Sequence, residues 1–294
     1  MGIRCFEGVT MRGWLWISAG WLVLAGCNRE GGAEKVAPPT ASAPAPTPAA
    51  EGEAAPAPEE KPPADVTWSY SGETGPDQWG ALQPEFGKCG SGQAQSPVDL
   101  PDAKSGGKTP GPISVDYKPA PLAVQFDGHV IGFESSSESS ILVDGQRYFL
   151  VRGELHSPAE HRVGGKALDM ELELYHRNES DEWLVVSVLF AKGEESSVLK
   201  PVFDYLPVKA SGTVDIVKGV ELDLTSLVPS DFAYRYYDGS LTRPPCSEGV
   251  RWVVLNKTAS VSENQIRRYA GVVGGDTHRP LQPVNDRKVG VFGR

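Results

Sequence analysis

From Leu122 to Leu255 apolar and polar residues repeatedly alternate with a period of two, the pattern of strands that bury one face. Leu122 to Phe126 and Val130 to Phe133 flank Asp127-Gly128. Ile141 to Val143 and Gln146 to Leu155 flank Asp144-Gly145, a strong two-residue hairpin signal. Leu168 to His176, Trp183 to Phe190 and Arg251 to Leu255 continue the pattern. Helical signals are fewer. Ser260-Val261-Ser262-Glu263 reads as a capping box that opens a helix over Asn264 to Ala270, with Gly271 as its stop. The prediction is a mainly β (α+β) domain, built on a large, mostly antiparallel sheet with short helices around it.

Two predicted strands concentrate charge on one face. Alternation sets Arg152, Glu154 and His156 against Val151, Gly153 and Leu155, and sets Glu171, Glu173 and Tyr175 against Met170, Leu172 and Leu174. The simplest reading turns both charged faces to water. The other makes Glu154, His156 and Glu173 a possible metal-binding trio.

The N-terminal stretch follows different rules. Arg12 precedes an uncharged, apolar run from Gly13 to Gly26, which reads as a secretory signal and falls short of the roughly 18 residues of a spanning helix. Leu24-Ala25-Gly26-Cys27 resembles the bacterial lipobox, in which the cysteine is lipidated and becomes the mature first residue. Residues 1–26 are then a lipoprotein signal peptide, and a start at Met11 would leave Cys5 outside the chain. Residues 27–64 hold nine prolines among Ala, Thr, Glu and Gly, too little apolar surface to offset ordering, so they read as a disordered tether. Residues 65–294 make the folded domain. The expected location is the bacterial cell envelope, in the periplasm or on the outer surface, with a membrane anchor at Cys27.

Composition narrows the classes further. The 33 glycines and 25 prolines among 294 residues suit a turn-rich β chain better than a helical bundle. With 28 basic against 38 acidic side chains the formal charge is −10, the wrong sign for binding phosphate backbones, so a nucleic-acid partner is set aside. Cys89 and Cys246 remain in the folded part. In an exported chain they invite a disulfide worth roughly 2–4 kcal/mol, with two free thiols as the alternative.

Three segments, in this order, resemble the α-class carbonic anhydrases: Gln95-Ser96-Pro97-Val98-Asp99, His156-Ser157-Pro158-Ala159-Glu160-His161, and Gly239-Ser240-Leu241-Thr242-Arg243-Pro244-Pro245-Cys246. Trp68-Ser69-Tyr70 and Arg251-Trp252-Val253-Val254-Leu255 fit the same family, and the likeness covers essentially all of Asp65 to Arg294. The resemblance implies a twisted sheet around a conical cavity. At its floor three histidines hold Zn²⁺, two from alternating positions of one strand and one from its neighbour. The ion makes a hydroxide from its bound water, which attacks CO₂ and yields bicarbonate.

Carried over residue by residue, the match is mixed. His156 matches the second zinc histidine, but Glu154 and Glu173 stand at the first and third. Thr242 matches the threonine that orients the hydroxide, Glu160 the carboxylate that fixes it, His129 the proton shuttle, and Tyr70 the cavity tyrosine. Val186 and Leu241 match the apolar CO₂ pocket, and Cys89 and Cys246 a disulfide of many exported members. Three residues depart from the family. Arg152 replaces a glutamine, Arg243 a threonine beside the substrate, and Tyr175 a small residue of the pocket. Glu171 matches the carboxylate that accepts a hydrogen bond from the third histidine. With Glu173 in place of that histidine, two acceptors would face each other with no donor between them.

Carboxylates this close need a metal ion, protons or arginine to balance them. The expectation is that Arg152 and Arg243 largely neutralise Glu154 and Glu173, with no metal or a weakly bound one, and Zn²⁺ if the family site is retained. The chain would then resemble the acatalytic carbonic-anhydrase-related proteins, its residual cavity taking an anion or small ligand against Arg152, Arg243 and His129. The alternative is a working lyase, exchanging CO₂ and bicarbonate on a metal held by Glu154, His156 and Glu173. A purely structural envelope protein is a third reading. His161 and His176 read as structural, and His278 suggests no mechanism.

Overall fold

The computed structural model describes residues 67–102, 106–136, 138–228 and 232–293. The expected signal peptide, Cys27 and the whole of the tether lie outside them. In chain order the first strands are β1 (Asp99–Leu100), β2 (Ser114–Asp116), β3 (Ala120–Phe126), β4 (Ile131–Glu134), β5 (Ser140–Val143), β6 (Gln146–His156) and β7 (Arg162–Val163). There follow β8 (Met170–Arg177), β9 (Trp183–Lys192), β10 (Val214–Leu222), β11 (Tyr234–Ser240), β12 (Glu248–Leu255), β13 (Ala259–Val261) and β14 (Gly290–Phe292).

Twelve of these form one mixed sheet, in the order β10-β3-β4-β6-β8-β9-β12-β11-β14, with β5, β2 and β13 joined at its side. Pairing is antiparallel except where β12 and β13 run parallel to β9. The hairpin signal is realised between β5 and β6, where Asp144 and Gly145 take positive φ values of 51° and 79°, as a two-residue turn of this hand requires. Among the described residues no helix is long and apolar enough to cross a membrane.

The sheet is covered on both faces. Leu155, Leu172, Leu174, Val186, Val188 and Val253 belong to one apolar core. Tyr175, Val185, Leu189, Trp252 and Val254 belong to a second, on the opposite side. Strand β8 is therefore buried from Met170 through His176, because its neighbours on both edges and cover on both faces leave no side for water. Edge strand β10 has no such cover and leaves Ile216 exposed.

The longest helix among the described residues, Glu263–Val273, differs from the expectation at both ends. Its cap is Ser262, whose hydroxyl accepts from the Gln265 amide while the Gln265 side chain accepts from Ser262 N–H. Ser260 instead lies in β13 and donates to the Glu194 carbonyl. Gly271 is inside the helix, and the stop is Gly274, at φ 85°, where a left-handed residue favours glycine. Tyr269 points inward and donates to the Leu155 carbonyl, next to His156.

Cys89 and Cys246 form a disulfide within a small cluster containing Trp79, with Trp68 and Tyr70 packed against it. It ties the segment before β1 to the loop after β11.

Candidate metal centre

Register across β6 and β8 builds the floor. Glu154 lies opposite Glu173, His156 opposite Glu171, and Arg152 opposite Tyr175. The carboxylates and imidazole of these faces do not meet water, contrary to the simplest reading of the sequence, and only Arg152 among the charged residues is partly exposed. Glu154 is 3 % exposed, and His156, Glu171 and Glu173 are 0 %.

Three of the floor residues, Glu154, His156 and Glu173, each keep one atom without a partner. His156 Nδ1 lies 2.6 Å from the Thr277 carbonyl, which accepts its proton and leaves Nε2 with a lone pair. Glu154 Oε1 accepts from Arg152 Nε at 2.5 Å and from Arg243 at 2.6 Å. Glu173 Oε2 accepts from the Tyr175 hydroxyl at 2.5 Å and, weakly, from Thr242 at 3.5 Å. His156 Nε2, Glu154 Oε2 and Glu173 Oε1 are buried without a hydrogen-bond partner, and the three residues bring ligand atoms within 4.8 Å of one another.

The arginines do not divide between the two carboxylates as expected. Both close on Glu154, and the second terminal nitrogen of Arg243 donates to Asp127 Oδ2 at 2.5 Å. The cause is local geometry. Arg152 stands two residues from Glu154 on the same strand face, and its guanidinium packs over the Tyr175 ring, 4.1 Å from the centroid. Burial pushes the Glu154 carboxyl up, but Arg243 and Arg152 outweigh it and hold the group below its ordinary pKa. Glu173 has no arginine on it, and His156 Nε2 lies 3.6 Å from its Oε2. Burial, and next the neighbouring Glu160 charge, push its carboxyl well above the ordinary range against the pull of His156, while the Tyr175 hydroxyl donates to it.

Glu171 and Glu173 are not left facing each other without donors. Glu171 accepts from His161 Nδ1 at 2.7 Å, from Ser187 at 2.5 Å, and from the backbone N–H groups of Glu160 and His161 at 2.9 Å each. Burial opposes ionisation there, but the His161 pairing and these donors bring its pKa down to about 2. His161 reaches on to the Tyr237 hydroxyl at 2.6 Å, and His176 pairs with the Tyr117 hydroxyl at 2.8 Å. Sequence reasoning missed Ser187, Thr277 and Asp127. Only Asp127 had a signal, as the head of the turn before His129.

The outer positions are mixed. Glu160 Oε1 accepts from the Arg279 N–H at 2.8 Å, Oε2 has no partner, and burial pushes its pKa up to about 8. The Thr242 hydroxyl stands between two carboxylates, hydrogen-bonded to Glu160 and 3.5 Å from Glu173 Oε2. Val186 is a correction. It pairs with Leu174 and packs in the opposite core, while Val185 pairs with Tyr175 on the site's face. The match was one residue out, and on a strand one residue reverses the face. Leu241 does pack on the site's side. Tyr70 sets its ring 6.4 Å from that of His156, its hydroxyl unpartnered. His129 is half-buried and stacked on Trp68 at 3.7 Å, and burial, with Arg243 nearby, lowers its basicity despite Asp127.

Asp127, Arg152, Glu154 and Arg243 help to line a pocket of about 30 Å³, room for no more than a few waters. Arg243 spends both terminal nitrogens on carboxylates there, so it offers no free pair of donors to an anion. Two carboxylates and an imidazole, each with one unpartnered atom, fit a divalent metal ion. They differ from the all-imidazole zinc site that the resemblance implies.

Comparison with known proteins gives the same family. The profile of eukaryotic-type carbonic anhydrases matches residues 74–292. A carbonic anhydrase of Klebsiella pneumoniae is 36 % identical over 76 % of this chain and 89 % of its own length. Dioscorin DB3S of Dioscorea polystachya is 34 % identical, over 74 % of this chain and 83 % of its own. The structure of the Thermovibrio ammonificans α-carbonic anhydrase in complex with sulfanilamide superposes with a TM-score of 0.72 at 35 % identity, covering 78 % of this chain and all of that one. The ordered motifs, the sheet and these matches agree: the chain belongs to the α-carbonic anhydrase family.

Proposed function

We propose that this chain is a cell-envelope lipoprotein whose α-carbonic-anhydrase domain hydrates CO₂ weakly or not at all. The observation that carries the reading is the clamp of Arg152 and Arg243 on Glu154, which sets a guanidinium over the floor where the family has a substrate-side threonine.

Other features support it. Tyr175 is wholly buried where the family keeps a small pocket residue, so its ring takes space that CO₂ would need. His129 is held against Trp68 with lowered basicity, a poor arrangement for carrying a proton outward. A metal ion on Glu154, His156 and Glu173 would supply Lewis acidity to a bound water, and two anionic ligands would weaken that acidity relative to three imidazoles.

Stopped-flow CO₂ hydration by the purified mature chain, with and without added Zn²⁺, tests the reading. Rates at the buffer background support it, and turnover comparable to an active family member overturns it. The second reading, a working lyase with Thr242, Glu160 and His129 in their family roles, is favoured by the three unpartnered atoms of the floor.

The envelope location rests on Leu24-Ala25-Gly26-Cys27 and is supported by the Cys89–Cys246 pairing, since disulfides persist in oxidising compartments. Cys27→Ala is expected to move the protein from the membrane to the soluble fraction. Retention in the membrane would refute the anchor.

A further inference from the structure

We infer that Glu154, His156 and Glu173 make a mixed carboxylate–imidazole site for one divalent cation, with selectivity shifted from zinc towards hard, oxygen-seeking ions such as Mn²⁺. The inference uses the same floor as the proposed function but does not rest on whether CO₂ is hydrated.

The first argument is the set of unmet atoms. His156 Nε2, Glu154 Oε2 and Glu173 Oε1 are buried with no partner, on residues between 0 and 3 % exposed. Buried polar atoms without partners are rare, and several in one place point to a missing group. The His156 Nδ1 proton goes to the Thr277 carbonyl, which in the neutral ring leaves the lone pair on Nε2, on this side. Glu154 Oε2 is an acceptor as well. A cation satisfies such a convergence.

The second argument concerns the other carboxylate oxygens. Arg152 and Arg243 both take Glu154 Oε1, and Tyr175 takes Glu173 Oε2. Glu154 is thus held by outer hydrogen bonds with Oε2 left over, while Glu173, held by Tyr175, sets Oε2 3.6 Å from His156 Nε2 and leaves Oε1 unpartnered; carboxylates fixed in this way suit metal ligation. The guanidiniums do not leave the floor positive. Arg152 and Arg243 are matched by Glu154 and Asp127, so the clamp is neutral overall.

The third argument is ligand hardness. Imidazole suits zinc, whereas carboxylate and water suit Mn²⁺ and Mg²⁺. Zinc remains the stronger binder to most sites, so the expected signature is a compressed ratio of zinc to manganese affinity rather than its reversal.

The experiment uses the mature, detergent-solubilised chain stripped with chelator, then titrated with Mn²⁺ and with Zn²⁺. Binding is read by calorimetry, and by loss of the free Mn²⁺ electron paramagnetic resonance signal. One Mn²⁺ per chain is expected, lost in His156→Ala. In Glu173→His, which leaves the arginine clamp intact, the zinc-to-manganese affinity ratio should rise about tenfold or more as one hard ligand becomes an imidazole. No Mn²⁺ binding by the native chain overturns the inference, as does binding that survives His156→Ala in folded protein or a ratio that does not rise. Should Glu173→His fail to fold, the His156→Ala comparison still decides whether the site exists, and Glu173→Asp replaces it in the ratio, which should then stay near the native value. CO₂ turnover is not read in this experiment, so an active enzyme would sink the proposed function and leave the cation site standing.

Discussion

At the scale of single residues, the site is a problem in balancing buried charge. Glu154 has two cations on one oxygen, so either arginine alone still neutralises it. Arg152→Ala and Arg243→Ala are each expected to cost roughly 1.5–3 kcal/mol, the range for hydrogen bonds to charged groups. The double variant should lose more than the sum, because only then is a buried carboxylate stranded. Denaturant unfolding of the four proteins measures this, and strict additivity would contradict it. Glu160 makes a pH-dependent prediction. Its folded pKa of about 8 lies above the ordinary 4.5, so the unfolded chain ionises first. The stability it contributes is full below about pH 4.5 and is lost as pH rises towards 8. Glu160→Gln should therefore gain Tm relative to the native chain across that window, at about 2–4 °C per kcal/mol for a domain of this size. Glu171, at about 2, has the opposite sign and loses its contribution as pH falls from 4.5 towards 2. Identity was more legible than partnership. The sequence alternation put Glu154, His156 and Glu173 on facing positions, yet it held no sign that Ser187 and His161 would serve Glu171, because those contacts depend on neighbouring strands and loops.

At the scale of elements, local patterns read well where one face is apolar. β3, β4, β6, β8 and β9 fall close to the alternating runs, and Asp144-Gly145 turns as its chemistry demands. β10 went unread because Val214–Leu222 is an exposed edge strand with little burial to imprint a pattern. Face assignment was fragile for the reason that misplaced Val186: on β9 both faces are buried and both are valine-rich, so composition does not mark the register. The helix Glu263–Val273 had a readable start region, but two serines two apart competed for the cap and Gln265 decided it. Ser262→Ala should cost about 1 kcal/mol, the usual worth of such a cap. Thermal unfolding checks the value, and Ser260→Ala serves as the control, with a smaller effect expected on the helix.

At the scale of the whole molecule, one covalent tie joins distant parts. Cys89 and Cys246 are 157 residues apart, and the bond restrains most of the domain in the unfolded chain. A Cys89→Ser, Cys246→Ser variant should lose roughly 2–4 kcal/mol in urea unfolding while keeping the sheet. An unchanged midpoint would mean that the unfolded chain gains no freedom from the cut. The overall architecture was legible because several ordered motifs fixed it together. The closeness of the floor was not, since alternation reports which residues share a face and is silent on what covers that face.

The two guanidiniums above the floor also bear on how such a site can change over time. With Arg152 and Arg243 in place, introducing a histidine at position 154 alone removes the anion they share, and Asp127 can answer only one of them. Replacing both arginines first strands Glu154 as a buried anion. Either order passes through a less stable protein, so the arrangement resists stepwise replacement by its own electrostatics.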